Sequence, residues 1–379
     1  MSDGLNIARI RAYAVAPAQA PPVRYTGRDD GLVQMNIEVV RLTLQDGSEG
    51  TASSFSGWLV SDGGSVVREI GRLAGDVLGE SVAHRAALTE ALLESAGEGP
   101  WPAISIIDGA MWDAYARSAG LPLWQLLGGY RACIPAYAST PAHLTIEAYL
   151  DDIRRFAAMG YRAIKLHMNT DPDFDLELVR AVTGAHGATG LRFMVDLEQL
   201  YSFDDAVRLG EVLSRLPFDW MEAPLPDTDL GAYAELNEAV DIDILAAGNT
   251  LVGLENWAEG LGRGAWSRLR CDACNAGGVT TLVKAMGLAR AMAVPLEIQS
   301  FGFQPSQHVN LHVMLGMAGC TWFEHPAPQA PYNYAARNPL SLTARGCVAA
   351  AEGAGLGLVM SWDEVDTDAF ARFDSATSG

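Results

Sequence analysis

The stretch AIKLHMN at 163 to 169 sets two basic side chains in an otherwise apolar run. Read as a strand, its alternation sends Lys165 and His167 to the same face. Further short runs carry polar residues at their ends. Asp196 and Glu198 close RFMVDLEQ, Glu222 closes DWMEAP, Asn249 closes DILAAGN, and Asp272 lies in RLRCDACN. Glu297 and Gln299 lie in PLEIQSF, and Glu324 and His325 in TWFEHP. Asp196, Glu222 and Asn249 are oxygen donors from successive runs. Magnesium takes such donors in octahedral geometry at ~2.0–2.1 Å, with water or substrate completing the shell. One acid in such a place reads more readily as a salt bridge; three in succession point to a metal centre.

Those residues need a frame that brings strand ends together. Strand-like runs begin near Cys133, Ala163, Arg192, Asp219, Asp243, Arg268, Val294 and Cys320, and helical stretches such as TIEAYLDDIRRFAAMG and GVTTLVKAMGLARAMA separate them. Eight alternating units predict a closed parallel barrel, with functional groups at the C-terminal ends of the strands. The rival is an open dinucleotide-binding sheet, which needs a glycine fingerprint after its first strand; here YASTPAHLT follows. Ser202 with Asp205 fits a capping box, and Gly160 a helix stop. Ahead of the barrel, NIARIRAYAVAP and QMNIEVVRLTLQDGSEGTASSF read as strands, the second a hairpin turning at Asp46-Gly47. Helices are predicted at 64 to 78, 83 to 95 and 102 to 120.

The chain has 379 residues and a formal charge of −20, which argues against nucleic acid as a partner. No apolar run approaches the ~18 residues of a membrane span. The N-terminus MSDGLNIARIRAY makes a poor secretory signal, and five scattered cysteines read as reduced thiols, so a cytoplasmic location is expected. Cys271-Asp272-Ala273-Cys274 lacks the second pair a zinc site needs. His308 and His312 stand four apart without the glutamate of a zinc protease, and GLGRG at 260 to 264 sits in a helical repeat rather than a phosphate loop.

AISIIDGAMWDAYARSAGLPLWQLLGG, GYRAIKLHMN, VDLEQ, MEAPL, NAGGVTTLVKAMGLARAMAVP and GAGLGLVM together resemble, in order and spacing, the mandelate racemase and muconate lactonizing enzymes of the enolase superfamily. The resemblance covers nearly the whole chain. It implies a modified TIM (β/α) barrel at 131–325, an N-terminal α+β capping domain at 1–130, and a segment at 326–379 that returns to the cap. It also implies Mg2+, a small-molecule carboxylate substrate and a homo-oligomer. The metal holds the substrate carboxylate, a base removes the adjacent proton, and an enediolate forms, with Lys or His as the base. By position His167 matches the group that acts on the substrate. Lys165 matches the one that tunes it and contacts the carboxylate. Glu324 matches a donor to the enediolate oxygen, with a salt bridge at the barrel rim as its rival.

Three positions depart from the family pattern. Asn249 stands where the third metal ligand is usually acidic. Glu198 stands where the family usually has Asn, on the face of Asp196, and is expected to restore the missing charge. Gln299 stands where many members have a histidine paired with Asp272; glutamine takes no proton at neutral pH. Glu297, two residues before it, is the candidate replacement. Cap loops near Tyr25 to Val33 and Ser53 to Trp58 would choose the substrate, with Arg24, Tyr25, Arg28 and Ser54 suited to a hydroxylated acid. The expectation is an acid-sugar dehydratase. The alternatives are a racemase or epimerase of a hydroxy acid, and an impaired homologue that only binds an acid.

Overall fold

Eight short strands, Ile134–Thr140, Ala163–His167, Arg192–Asp196, Phe218–Glu222, Asp243–Leu245, Leu269–Cys271, Leu296–Ile298 and Phe323–Pro326, form a ring in chain order in the computed structural model. It describes residues 3–56, 64–96 and 101–377. The first five pair in parallel, the sixth pairs with the seventh, and the eighth returns to pair in parallel with the first. That last pairing closes the ring, which an open sheet cannot do. Two junctions are thinner. Ser267 N donates to Ile244 O (3.1 Å) between the fifth and sixth strands, and Leu296 N to Gly319 O (3.4 Å) between the seventh and eighth.

Alternation then stacks the barrel interior in rows. On the first five strands the lower row is apolar: Tyr137, Ala163, Met194, Trp220 and Leu245 form their own buried cluster. Tyr137 and Trp220 meet edge to face with centroids 5.8 Å apart. Two residues further along the same strands come Ser139, Lys165, Asp196 and Glu222. The apolar row is therefore a dry floor beneath the polar groups, and each large side chain buried there stabilises the fold by roughly 1.5–3 kcal/mol.

Helices return the chain from strand to strand outside the ring. Their starts follow from local chemistry. Thr145, Asp171, Ser202 and Asp229 each accept a backbone N–H of the helix that they open. Ser202 also donates to Asp205 Oδ2 (2.6 Å), which completes the pair expected from sequence. Gly160 ends its helix at φ 103°. After the eighth strand the chain leaves the ring. Its strand Ala369–Ala376 pairs antiparallel with Ile7–Val15, which in turn pairs with the hairpin Asn36–Leu44 and Glu49–Ser56.

Helix Trp101–Ser118 lies between cap and barrel and carries two buried acids that tie them together. Asp108 accepts from Thr89 Oγ1 (2.6 Å) and from Thr280 N (3.0 Å) on a barrel helix. Asp113 accepts from Thr51 N (2.9 Å) and from Leu356 N (2.7 Å). Gly278 sits at φ 81°, and a Cβ there would meet Asp108 Oδ2 at 2.2 Å, so only glycine lets the helix start approach this carboxylate. The expected first helix ends early, at Leu73, followed by a single turn at Ala74–Asp76. Among the described residues no helix is long and apolar enough to cross a membrane.

Candidate active site

The upper row of the barrel opens into a cavity of about 330 Å³ lined by Lys165, His167, Asp196, Glu198, Glu222, Asn249, Gln299 and Glu324, with Tyr25 and Phe55 from the cap. Lys165 is its hub. Nζ lies 2.8 Å from Asp196 Oδ2, 3.0 Å from Glu222 Oε1 and 2.9 Å from Glu324 Oε1. Burial works to lower the lysine pKa, but three carboxylates hold it well above the ordinary value. The group therefore stays an ammonium and is no proton acceptor at neutral pH.

The tautomer of His167 follows from one hydrogen bond. Its Nδ1 lies 2.6 Å from Thr140 O, and a carbonyl only accepts, so Nδ1 carries the hydrogen. Burial holds the ring pKa below its usual value, so the imidazole is neutral and Nε2 keeps its lone pair. Nε2 faces Glu198 Oε1 at 3.4 Å and Asp196 Oδ2 at 3.6 Å. Donor atoms of His167, Asp196 and Glu198 all lie within 4.8 Å of one another. Glu198 sits at φ 54°, a left-handed position that turns the chain directly after the strand. Burial and then the neighbouring Asp196 push its carboxyl well above the ordinary range.

Sequence reading missed Arg270. It is 1% exposed and stands inside the ring. Nε lies 2.8 Å from Glu222 Oε1 and Nη2 2.9 Å from Glu324 Oε2. The signal was present: Arg270 shares the parity of Asp272 and stands between the apolar Leu269 and Cys271. Gly248, at φ 79°, lets the loop after the fifth strand press on it; a Cβ there would meet the Arg270 backbone and Cγ at 2.7–2.8 Å. Glu222 is pushed up to about 8 by burial, with Arg270 pulling the other way.

Four carboxyls thus face two buried cations, and the surplus negative charge suits a divalent cation. Asp196, Glu198 and Glu222 with the Asn249 amide are hard oxygen donors around one cavity, the donor set that magnesium takes. Gln299 Oε1 is also buried with no hydrogen-bond partner among the described residues, an acceptor left for a ligand.

Several expected roles do not survive the geometry. Glu324 accepts from Ser139 Oγ (3.0 Å), Ser300 N (3.1 Å) and Arg270, and although burial works to raise it, Lys165 and Arg270 keep it ionised, so it has no proton to donate. The rim salt bridge, its rival reading, is closer to what is found. Asp272 does not meet the Gln299 side chain. It accepts from Cys274 N, Asn275 Nδ2 and Asn310 Nδ2, each at 2.7 Å, and burial raises it to about 6. Its work is to shape the turn after the sixth strand. Glu297 lies one row below Gln299 and is turned from the cavity, bound to Arg268 Nη1 (3.0 Å) and the N–H groups of Thr321 and Trp322. It can reach no substrate in the mouth.

The cap residues divide as well. Tyr25 is buried with its ring 5.2 Å from that of His167. Arg24 uses Nη1 on Thr26 O and Arg28 O, within its own loop. Arg28 is exposed and pairs with Asp30, and Ser54 donates to Asn275 Oδ1 (2.8 Å); neither lines the cavity. Of the predicted loop Ser53 to Trp58, residues 57 and 58 lie outside the described residues. Phe301 and Tyr332, which sequence reading passed over, complete an aromatic wall with Tyr25. His325 turns away from the cavity to Tyr161 (2.6 Å), and Cys271 and Cys274 are buried free thiols.

The sequence matches two family models: the mandelate racemase / muconate lactonizing enzyme N-terminal domain over residues 12–128, and the enolase C-terminal domain-like family over residues 148–365. It is 28% identical over 359 residues to 3,6-anhydro-alpha-L-galactonate cycloisomerase of Streptomyces coelicolor, covering 91% of this chain and 94% of that protein. A crystal structure from Pseudovibrio sp., classed with the mandelate racemase/muconate lactonizing enzymes, superposes with a TM-score of 0.94 at 34% identity, covering 98% and 99% of the two chains. L-talarate/galactarate dehydratase from Salmonella typhimurium LT2, liganded with Mg and L-lyxarohydroxamate, superposes with a TM-score of 0.87 at 25% identity, covering 98% and 95%.

Proposed function

Since the chain belongs to the mandelate racemase/muconate lactonizing enzyme family, we propose that it is a magnesium-dependent hydro-lyase that removes the proton α to the carboxylate of a sugar acid and expels the adjacent hydroxyl. The observation that carries this reading is the neutral His167, whose Nε2 lone pair faces a cavity lined by Asp196, Glu198, Glu222 and Asn249 around the Lys165 ammonium. The relatives named as a 3,6-anhydro-alpha-L-galactonate cycloisomerase and an L-talarate/galactarate dehydratase support a sugar acid as the substrate.

In this reading Asp196, Glu222 and Asn249 hold the cation with Glu198 beside them. Bound there, magnesium supplies Lewis-acid stabilisation of charge on the substrate carboxylate, worth several kcal/mol. His167 Nε2 takes the α-proton, and Thr140 O keeps the ring in the tautomer that can do so. Lys165 stays protonated and offsets the charge that develops on the carboxylate oxygens as the enediolate forms. His167, now protonated, is placed to return its proton to the departing hydroxyl on the same face. Tyr25 and Phe301 shield the ring from water.

A racemase needs a second proton carrier across the substrate carbon. Gln299 carries none and Asp272 is sealed behind the strand, so elimination is favoured over racemisation or epimerisation. The test is incubation of the protein and Mg2+ with a panel of aldonic and aldaric acids, reading 2-keto acid and deuterium uptake at the α-carbon. Keto acid from one member supports the reading. Magnesium binding without exchange on any member leaves only a protein that binds acids.

A further inference from the structure

A second cavity, of about 390 Å³, adjoins the first and shares Tyr25, His167 and Phe301 with it. Prolines 21, 22, 141, 328 and 331 contribute to its wall. Leu32 and Leu144 line it too, and they are 51% and 58% exposed, an unusual amount of open aliphatic surface beside a polar site. The polar side chains of this wall are already engaged within the protein. Ser139 Oγ donates to Glu324 (3.0 Å), Thr140 Oγ1 to Lys165 O (3.1 Å) and Tyr25 OH to Met35 S (3.3 Å). His143 Nε2 meets Asp152 at 2.8 Å, and Tyr332 bonds with Tyr25. Arg24 spends Nη1 on its own loop, leaving its other N–H groups for water or one terminal acceptor.

A polyol chain placed here would give up its hydrogen bonds to water and find few in return, while a hydrocarbon has none to lose and a ring ether only those its oxygen accepts. The contrast with the first cavity, crowded with charge, divides the substrate in two at His167. We propose that this chamber receives the distal end of the substrate, and that the end is a deoxygenated or ring-closed body rather than an open-chain polyol. The inference rests on the reading above for where the carboxylate sits, and it narrows the acid.

Two hydroxy monocarboxylates of equal charge test it, 3-phenyllactate and gluconate, titrated calorimetrically into the magnesium-loaded protein. Phenyllactate is expected to bind at least about tenfold more tightly, in line with what small apolar differences achieve in hydrophobic pockets. Leu32→Ser and Leu144→Ser, both at exposed positions with little folding cost, are expected to remove most of that preference and leave gluconate unchanged. Equal or tighter binding of gluconate overturns the proposal, as does binding of neither acid or a preference that both variants retain. Deuterium exchange at the α-carbon separates this from the proposed activity. Exchange with a gluconate preference sinks the chamber and keeps the hydro-lyase; a phenyllactate preference with no exchange on any hydroxy acid does the reverse.

Discussion

Arg270 Nε stands 2.8 Å from Glu222 Oε1, so a side chain expected to hold metal is already gripped by a guanidinium. The same guanidinium reaches Glu324 at 2.9 Å, and neither partner sees solvent. Removing this buried cation leaves its two carboxylates to Lys165 alone, and breaking a buried pair costs about 3–5 kcal/mol. Arg270→Met is therefore expected to lower stability by that order in urea unfolding without metal. Magnesium should restore part of the loss, giving the variant a larger metal-induced Tm rise than the parent. An equal rise in both proteins would mean that Arg270 and the cation do not share Glu222.

Asn249→Asp adds a charge at the third donor position. Charges ~4 Å apart at an effective dielectric of 20 interact by about 4 kcal/mol, so even a fraction of this is a tenfold gain. Calorimetry should show magnesium affinity at least about ten times tighter. An unchanged Kd would place Asn249 outside the coordination shell.

Glu198→Gln tests the compensating charge. Its carboxyl is forced toward the protonated form by burial and by Asp196, a cost that a bound cation relieves. The amide should bind magnesium more weakly. In the metal-free protein it should be tolerated or slightly stabilising, since a like-charge contact is gone. Urea midpoints with and without magnesium read both effects.

His167→Gln removes the proposed base and keeps the site's volume. Exchange of the α-proton should fall by ~10²–10⁴, the usual contribution of a positioned base. Tyr25 and Phe301 still pack against position 167, so thermal stability should change little. With His167 intact, exchange should occur with retention and give no racemate, because Gln299 cannot deliver a proton to the other face; a racemic product would refute the one-sided arrangement.

Two histidines remote from the mouth set an acid limit. His308 Nδ1 and His312 Nε2 both meet Leu356 O, at 3.1 and 3.2 Å, and Trp124 N donates to His312 Nδ1. Burial lowers them to about 4 and about 3. Their folded pKa values lie below the unfolded value of ~6.5, so the unfolded chain binds more protons in that window. Stability they permit above pH 6.5 is lost as pH falls toward 4, by up to about 1.4 kcal/mol per pH unit per histidine. His312→Gln should flatten the urea midpoint against pH in this range. Buried Asp108 and Asp175, both raised to about 6, act in the opposite sense, so the difference between variant and parent is the reading to take.

The barrel was legible because its strands and helices alternate with a regular spacing and because each row of side chains repeats every second residue. Lys165, His167, Asp196 and Glu222 follow from that rule, and the structure gathers them around one cavity. The rule failed where height in the barrel matters as much as face. Glu297 has the parity of Gln299 but lies a row lower, where Arg268 and the start of the eighth strand claim it. Asp272 is past the strand end, where a turn removes it from the sequence of rows. Protonation is not a property of residue type either. Glu324 could be read as a donor until two cations were found beside it. The apolar chamber could not be foreseen, since it brings together residues from the cap loop, from after the first strand and from after the eighth, distant in sequence.

The strand Ala369–Ala376 covers one edge of Ile7–Val15, so the sheet whose hairpin ends near Phe55 is finished only after the whole barrel has left the ribosome. During synthesis the cap waits with an open backbone edge while the 250 residues between helix Trp101–Ser118 and that strand, the barrel and its connections, emerge. The cavity is therefore roofed after its walls are made. A nascent chain cannot seal around a ligand before the cylinder beneath is complete, and clipping that late strand would unfasten the roof while leaving the cylinder's own staves paired.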